Sequence, residues 1–337
     1  MTDPSGLDID VSDLSGQQAD AWFRRMAFQA DANGPGNAAP VKLSNPRELV
    51  GRWLGLRAHR TGCCGGVVAA RIHRDGTAEV VVPECGGRFD PPLVTILLDH
   101  TATQLAHRGV RLAVIYLPNK AESLLACSRS AGFRRSGDLL VLSRSVGDDC
   151  LSSPPRNSRD WTWEPCVFGQ GQDLPIIFER TLIGSRDFPN LPHVGSIESM
   201  LERFAEVGCD DTPMWYLARY RENLAGCLLM TARRDCQVAD LQYVGLAPEY
   251  RGRGGGRIMV RYALDVMGNY GVATVVVGVH AENDPAIAIY ASMGFDPAFR
   301  RAVFFRQLAA NQDGRDVHGD SVCSRSCEAS QGPVPGE

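Results

Sequence analysis

No run of apolar residues in this 337-residue chain reaches the ~20 residues that a membrane-spanning helix needs. The N-terminal residues 1–10 are polar and acidic, unlike the basic and apolar regions of a signal peptide. The formal net charge of −4 argues against the basic surface that nucleic-acid binding requires. The composition therefore predicts a cytoplasmic protein that binds neither membranes nor nucleic acids.

Cysteine is too sparse for a disulfide scaffold, because 11 cysteines, an odd number, are spread over the whole chain without an export signal. The only close spacings are Cys63-Cys64 and Cys323 with Cys327. Neither has a second Cys or His pair at the distance that a zinc site needs. We therefore expect reduced thiols and no metal.

What the chain does contain is one pattern that occurs twice, at a constant offset of 162 residues (271 − 109). The paired landmarks are Trp53 and Trp215, Arg57 and Arg219, Gly109-Val110 and Gly271-Val272, and Gly132-Phe133 and Gly294-Phe295. Agreement at four separated landmarks indicates a tandem duplication, with copies of about 150 residues each.

The domain boundaries follow from composition. Residues 148–160 belong to a stretch rich in Pro, Ser and charge, which is typical of a linker. Residues 309–337 lack apolar periodicity and are predicted to be a disordered tail. This leaves one domain over residues 1–147 and a second over 161–308, which we expect to pack against each other.

The second copy predicts a mixed α/β sheet, in which antiparallel strands are followed by a strand–helix–strand–helix–strand segment. Apolar spacing predicts helices over 173–185, 196–207, 257–267 and 285–293. Strands are predicted over 215–220, 225–231, 238–246, 273–279 and 302–307. Ser196 is a plausible N-cap of its helix, although the full capping box is absent because Ser199 replaces Glu or Gln.

A glycine-rich segment follows the third of these strands and opens a helix. It comprises Arg251, Gly252, Arg253, Gly254, Gly255, Gly256 and Arg257, and contains the pattern R-x-x-G-x-G. Glycine lets the backbone curl closely around an anion, and the helix points free N–H groups and its positive dipole end toward it. The arginines add charge-assisted hydrogen bonds suited to phosphate. The segment therefore predicts a pyrophosphate site.

Two other interpretations of this loop are weaker. A merely flexible loop would explain the glycines alone. A dinucleotide-binding loop would need G-x-G-x-x-G within a parallel β-α-β unit and an acidic residue ~20 positions later. Here the preceding strand follows antiparallel hairpins, and Arg257 occupies the third glycine position.

A second pattern, N-x-x-A-x-x-x-Y-x-x-x-G-F, is formed by Asn283, Ala286, Tyr290 and Gly294-Phe295. With both patterns in order, the chain resembles the GNAT superfamily of N-acetyltransferases. The resemblance covers residues 161–308, and residues 16–144 through the duplication. The tandem arrangement is similar to that of mycothiol synthases, whose C-terminal domain carries the catalysis.

The resemblance implies acetyl-CoA as cosubstrate and assigns roles to individual residues. The main chain of Val244, Gly245 and Leu246 would pair with the pantetheine arm, and an N–H there would polarise the acetyl carbonyl. Residues 251–257 would wrap the pyrophosphate, and Asn283 would contact the cofactor arm. Tyr290 would protonate the departing thiolate, since a phenol with a pKa of ~10 stays protonated at neutral pH.

The acceptor amine must also lose a proton, and Asp240 is the candidate base. It lies where the histone acetyltransferase branch places a glutamate, but its shorter side chain would need a bridging water. A solvated aspartate at a strand edge is an equally good interpretation. Glu249 and His280 are weaker candidates, because a turn carboxylate is usually solvated and a histidine after a buried strand is usually structural.

The first copy lacks the residues that would carry this chemistry. The shift of 162 replaces Arg251, Gly254 and Gly256 by Phe89, Pro92 and Val94, and Asp240, Asn283 and Tyr290 by Ala78, Ala121 and Ser128. Proline removes an N–H and valine blocks close approach of an anion. We expect a degenerate domain, with weak support for cofactor binding through Gly86-Gly87-Arg88.

The sequence thus predicts transfer of an acetyl group to a primary amine of a small molecule or peptide. Glu179, Asp187 and Glu198 could receive a cationic amine, and residues 186–190 are predicted to form an ordered loop at the acceptor entrance. One alternative is a catalytically silent acyl-CoA sensor or interaction module. Another is an enzyme that uses a longer acyl-CoA or an aminoacyl donor.

Overall fold

The computed structural model describes residues 8–14, 52–60, 63–82, 90–146, 158–206, 212–233 and 237–309. All but the first residue of the predicted tail and most of the predicted linker lie outside these ranges, and so do Phe89 and Gly86-Gly87-Arg88. The division of the chain at residues 148–160 therefore stays a prediction.

The described residues form twelve strands and six α-helices. The strands are β1 (Asp8–Leu14), β2 (Arg52–Arg60), β3 (Cys63–Ile72), β4 (Thr77–Val81), β5 (Leu112–Pro118), β6 (Arg134–Ser145), β7 (Trp161–Cys166), β8 (Thr212–Tyr220), β9 (Asn223–Arg233), β10 (Val238–Leu246), β11 (Thr274–His280) and β12 (Asp296–Gln307). The helices are α1 (Pro91–His107), α2 (Glu122–Ser130), α3 (Asp173–Leu182), α4 (Ile197–Glu206), α5 (Gly255–Asn269) and α6 (Asp284–Ser292).

All twelve strands join one mixed sheet in the order β1-β2-β3-β4-β5-β12-β6-β11-β10-β9-β8-β7. Parallel pairing occurs between β4 and β5 and between β10 and β11, and the other neighbours are antiparallel. The predicted mixed α/β sheet is confirmed. The sequence does not predict that β12 lies between β5 and β6. As a result, the last strand of each copy, β6 or β12, pairs with strands of the other copy.

The duplication is visible in the element boundaries. Helices α2 and α6 differ by 162 residues at both ends (284 − 122 and 292 − 130), and the same shift relates β5 to β11 and β6 to β12. Strand pairing obeys the shift too, because Thr274↔Ser145 on β11 and β6 corresponds to Leu112↔Gln307 on β5 and β12. Leu139 pairs with Arg301, its own equivalent, so a pseudo-twofold axis passes through that pair.

Each copy buries its own helices against the sheet. Helices α1 and α2 cover the core of the first copy, and α5 and α6 cover that of the second. A further layer, α3 and α4, covers the opposite face of β8, β9 and β10. Ser196 caps α4 as predicted, since its hydroxyl accepts from the Ser199 N–H at 3.2 Å. Helix α3 ends at Leu182, earlier than predicted, because the chain turns at Gly184 with a φ of 64°.

The two copies are also joined by side chains. Phe188, Leu191 and Val194, from the segment between α3 and α4, pack on strands β5, β6 and β12. Arg203 of α4 lies 3.7 Å from the buried carboxylate of Asp75 in the first copy. The copies therefore form one packed unit, in which the segment between α3 and α4 is held against the first copy.

Gly137 of β6, in the first copy, lies in close contact with the side chain of His280 from the second copy. Its φ is 149°, and a Cβ there would overlap the His280 Nε2 atom. We expect Gly137→Ala to lower the free energy of unfolding by about 1–3 kcal/mol or more, through overpacking and backbone strain together. Urea denaturation measures this loss.

Gly109→Ala is the matched control, because Gly109 has a φ of 79° but nothing within 4 Å of its added Cβ. It carries backbone strain without the overlap, so its loss should be the smaller of the two. Equal losses for the two variants would contradict the proposed contact between the copies.

Candidate active site

The site lies where β10 and β11 part. The two strands pair only over Val238–Leu241 and Thr274–Val277, and a bulge follows on β10 between Leu241 and Tyr243. Beyond that point, β10 runs on to Leu246 paired with β9, and no pairing with β11 occurs in the described residues. One edge of Val244, Gly245 and Leu246 is therefore left for another extended main chain or arm.

The glycine-rich loop closes the wide end of this gap. Gly252 and Gly254 have φ values of 73° and 81°, and Gly254 caps α5. No backbone or side-chain acceptor in the described part of the chain takes the amides of residues 252–257. Free amides, a helix dipole and open space over Gly254 are features that suit an anion, and the exposed Arg253 and Arg257 belong to the same loop.

Gly255 and Gly256 allow close packing, because neither position has room for a Cβ. A Cβ on Gly255 would lie 2.6 Å from Cζ2 of Trp161, and one on Gly256 would lie 2.9 Å from Cδ1 of Ile289. Trp161 stands in an aromatic group with Tyr220 and lines a cavity of about 190 Å³ beside Arg253. These contacts fix the start of α5 against strand β7 and helix α6.

Arg251 is bound within the protein. Its guanidinium donates to the carbonyl oxygens of Leu246 (2.9 Å), Gly184 (3.2 Å) and Thr181 (2.8 Å). The side chain thereby ties the end of α3 to the end of β10 and fixes where the loop begins. The sequence predicts the same phosphate-binding role for all three arginines. Only the hydrogen bonds of Arg251 to backbone carbonyls distinguish it from Arg253 and Arg257.

Tyr290 lies on α6, only 7% exposed, with its ring edge-on to Phe295 at 5.5 Å. Burial raises the pKa of the Tyr290 hydroxyl well above its usual value, and the negative charge of Asp187 adds to this. The phenol is therefore protonated throughout the neutral range.

Asn283 and His280 mark the turn between β11 and α6. Asn283 caps α6 by accepting from the Ala286 N–H at 3.4 Å, and its Nδ2 donates to Oδ1 of Asp187 at 3.0 Å. The backbone N–H of His280 donates to the same oxygen at 3.1 Å. The His280 ring is buried and lies 4.8 Å from that of Phe188. Asp187 thus joins the segment between α3 and α4 to this turn.

The candidate bases lie at different places. Asp240 is on β10 opposite Val276, within the paired segment just before the strands part. Its neighbours Ala239 and Leu241 face the core under α5, so strand alternation turns Asp240 to the other face. Glu249 is exposed and forms an ion pair with Arg180, which fits a surface role.

The described start of α1, which corresponds to the start of α5, has its own side-chain cap. Pro92 and Val94 lie in the first turns of α1, whose N-terminus is capped by the Asp90 carboxylate, 3.4 Å from the Leu93 N–H. Ser128, at the Tyr290 position, is fully buried. A carboxylate therefore stands where the second copy offers free amides.

Within the described ranges, no three His, Cys, Asp or Glu side chains are grouped as a metal site would require. Among the helices described, none combines the length and apolar character needed to cross a bilayer.

Comparisons with known proteins agree with this geometry. The profile of the "Acetyltransferase (GNAT) family" matches residues 185–295. A mycothiol acetyltransferase from Catenulispora acidiphila is 30% identical over 183 residues, covering 52% of this chain and 55% of that protein. Another, from a Nocardioides species, is 26% identical over 268 residues, covering 73% and 86%. This chain thus aligns with about half the length of the first relative and most of the second.

Among solved structures, a tandem GNAT protein from the clavulanic acid biosynthesis pathway has a TM-score of 0.59 at 16% identity, covering 89% of this chain and 98% of its own. At that identity the likeness concerns the fold alone. The family profile and the relatives named as acetyltransferases support an N-acetyltransferase enzyme. Residues 185–295 therefore carry a domain of the GNAT acetyltransferase family, and the fold as a whole is like that of a tandem GNAT protein.

Proposed function

We propose that this chain is an acetyl-CoA-dependent N-acetyltransferase, which transfers the acetyl group to a primary amine by direct attack on the thioester. One observation carries the proposal: the amides of residues 252–257 have no acceptor in the described part of the chain, and they follow the end of β10 that does not pair with β11. A diphosphate at the amides and an extended arm along β10 fit this arrangement.

The cofactor contacts divide into two groups. The main chain of Val244, Gly245 and Leu246 pairs with the pantetheine arm, and one N–H there polarises the acetyl carbonyl. The amides of residues 252–257, with Arg253 and Arg257, hold the diphosphate. Arg251 contributes by fixing the loop through its three carbonyl partners. Asn283 acts at the cofactor arm as the cap that positions α6.

The chemistry needs one proton donor and one proton acceptor. The amine nitrogen bonds to the acetyl carbon, the carbon–sulfur bond breaks, and Tyr290 gives its proton to the departing sulfur. The proton lost by the nitrogen passes to Asp240 through a water, because the aspartate side chain is short. The raised pKa of Tyr290 keeps the acid form available at neutral pH.

A small-molecule amine is the proposed acceptor, and a peptide amine is the alternative. Support comes from the relatives named mycothiol acetyltransferase and from the packing of the segment between α3 and α4 on the first copy. The first copy then acts as a wall of the acceptor side, without a cofactor of its own.

The proposal is tested by incubating the purified protein with acetyl-CoA and a panel of amines, and measuring free CoA thiol. Amine-dependent CoA release with at least one acceptor is expected. Binding of acetyl-CoA without release for any amine would identify a silent sensor instead. A larger acyl-CoA that outcompetes acetyl-CoA for binding would replace the donor assignment.

A further inference from the structure

Asp187 is an exposed carboxylate with one oxygen held in place. Its Oδ1 atom accepts from the His280 N–H and from Asn283 Nδ2, both groups of the turn that starts α6. Its Oδ2 atom takes no hydrogen bond from any residue that the structure describes. Two donors on one oxygen fix the direction of the other, which is how a carboxylate is oriented toward a ligand.

The segment that carries Asp187 is held by contacts with both copies. Phe188 adopts a φ of 44°, a left-handed conformation that is rare for an aromatic residue, and its ring packs 4.8 Å from that of His280. Leu191 and Val194 pack on the strands of the first copy. Backbone strain of this kind persists only where surrounding contacts impose it. Asp187 is therefore held at a defined position.

That position is at the reaction centre of the proposed function. Asp187 is bound to the turn from which α6 carries Tyr290, and its charge contributes to raising the pKa of the Tyr290 hydroxyl. The other two acids that the sequence offers for a cationic amine lie elsewhere: Glu179 is exposed on α3, and Glu198 lies in the first turn of α4, where it hydrogen-bonds with Ser196.

We infer that Asp187 binds the ammonium group of the acceptor, so that the substrates are primary amines that are cationic at neutral pH. The inference rests on the proposed function and concerns binding: the ammonium group gives one proton to solvent before attack, because only the neutral amine is nucleophilic, and the proton lost on attack still passes to Asp240. Asp187 Oδ2 receives an N–H of the ammonium group while Oδ1 keeps its two protein donors. The segment between α3 and α4 thereby selects for charge.

Two unreactive thioethers of CoA test this without knowledge of the natural acceptor. S-aminobutyl-CoA carries an ammonium group where S-pentyl-CoA carries a methyl group of similar size. Calorimetry with the full chain should give about ten- to hundredfold tighter binding of the aminobutyl compound, as expected for a charge-assisted hydrogen bond. In Asp187→Asn the preference should fall to about one, with binding of S-pentyl-CoA unchanged.

Asparagine suits this test because its side-chain oxygen can still accept from His280 and Asn283. Asp284→Asn is the matched control, since Asp284 is exposed in the first turn of the same helix, and it should keep the preference. The inference is overturned if wild-type protein shows no preference, if Asp187→Asn keeps it, or if Asp187→Asn weakens both compounds equally. Binding of neither compound to wild-type protein would overturn the proposed function itself, and the inference with it.

Discussion

Replacing Gly254 with aspartate is expected to weaken acetyl-CoA binding about 100-fold or more. Gly254 caps α5, and a side chain there points into open space over the free amides. A carboxylate would accept hydrogen bonds from the amides that the diphosphate needs, and would repel the diphosphate itself. Losing two charge-assisted hydrogen bonds accounts for an effect of about this size. Isothermal titration with acetyl-CoA measures it.

The control for this variant is Gly271→Asp, at the other end of the same helix. Gly271 also has a φ of 81° and nothing within 4 Å of an added Cβ, so backbone strain is matched. It lies just after α5, at the opposite end of the helix from the amides of residues 252–257. Acetyl-CoA should bind this variant as it binds wild-type protein. A comparable loss in both variants would mean that strain, and not the anion site, causes the effect.

Removing the Tyr290 hydroxyl should have the largest effect on turnover. Tyr290→Phe keeps the buried ring against Phe295 and removes only the proton donor, so kcat should fall about 100- to 10,000-fold. The KM for acetyl-CoA should change little. Because burial raises the pKa of Tyr290, its deprotonation should not limit activity anywhere in the neutral range. Single-turnover release of CoA measures the chemical step.

Tyr262→Phe provides the comparison. Tyr262 lies on α5 with its ring stacked on Trp163 at 4.2 Å, and burial raises the pKa of its hydroxyl to about 12. It is thus another partly buried phenol of the second copy, and it packs against β7 and β8 instead of the turn that starts α6. Its loss should leave kcat unchanged. If Tyr290→Phe behaved in the same way, another group would have to protonate the departing sulfur.

The sequence predicts local features of this fold well where a single element carries the signal. The continuous apolar strand at β11, the Ser196 cap and the glycine loop each follow from the chemistry of adjacent residues. The shift of 162 likewise matches the boundaries of β5 with β11, α2 with α6 and β6 with β12 residue for residue. These features depend on local backbone preferences, which the sequence expresses directly.

Features that depend on contacts between distant segments could not be predicted. Strand β12 begins at Asp296, six residues before the predicted start, because it extends between β5 and β6 and gains partners from the first copy. The engagement of Arg251 with carbonyls of α3, and of Asp187 with Asn283, needs the packed fold as well. Spacing in the sequence contains no sign of either contact.

The central claim is that the amides of residues 252–257 bind the diphosphate of acetyl-CoA. The most direct test compares acetyl-CoA with S-acetylpantetheine, which has the same thioester arm but no diphosphate. Titration into wild-type protein should show acetyl-CoA bound at least about 100-fold more tightly, because only it reaches the amides of residues 252–257. Equal affinity for the two compounds, or binding of neither, would contradict the assignment of this loop as the cofactor site.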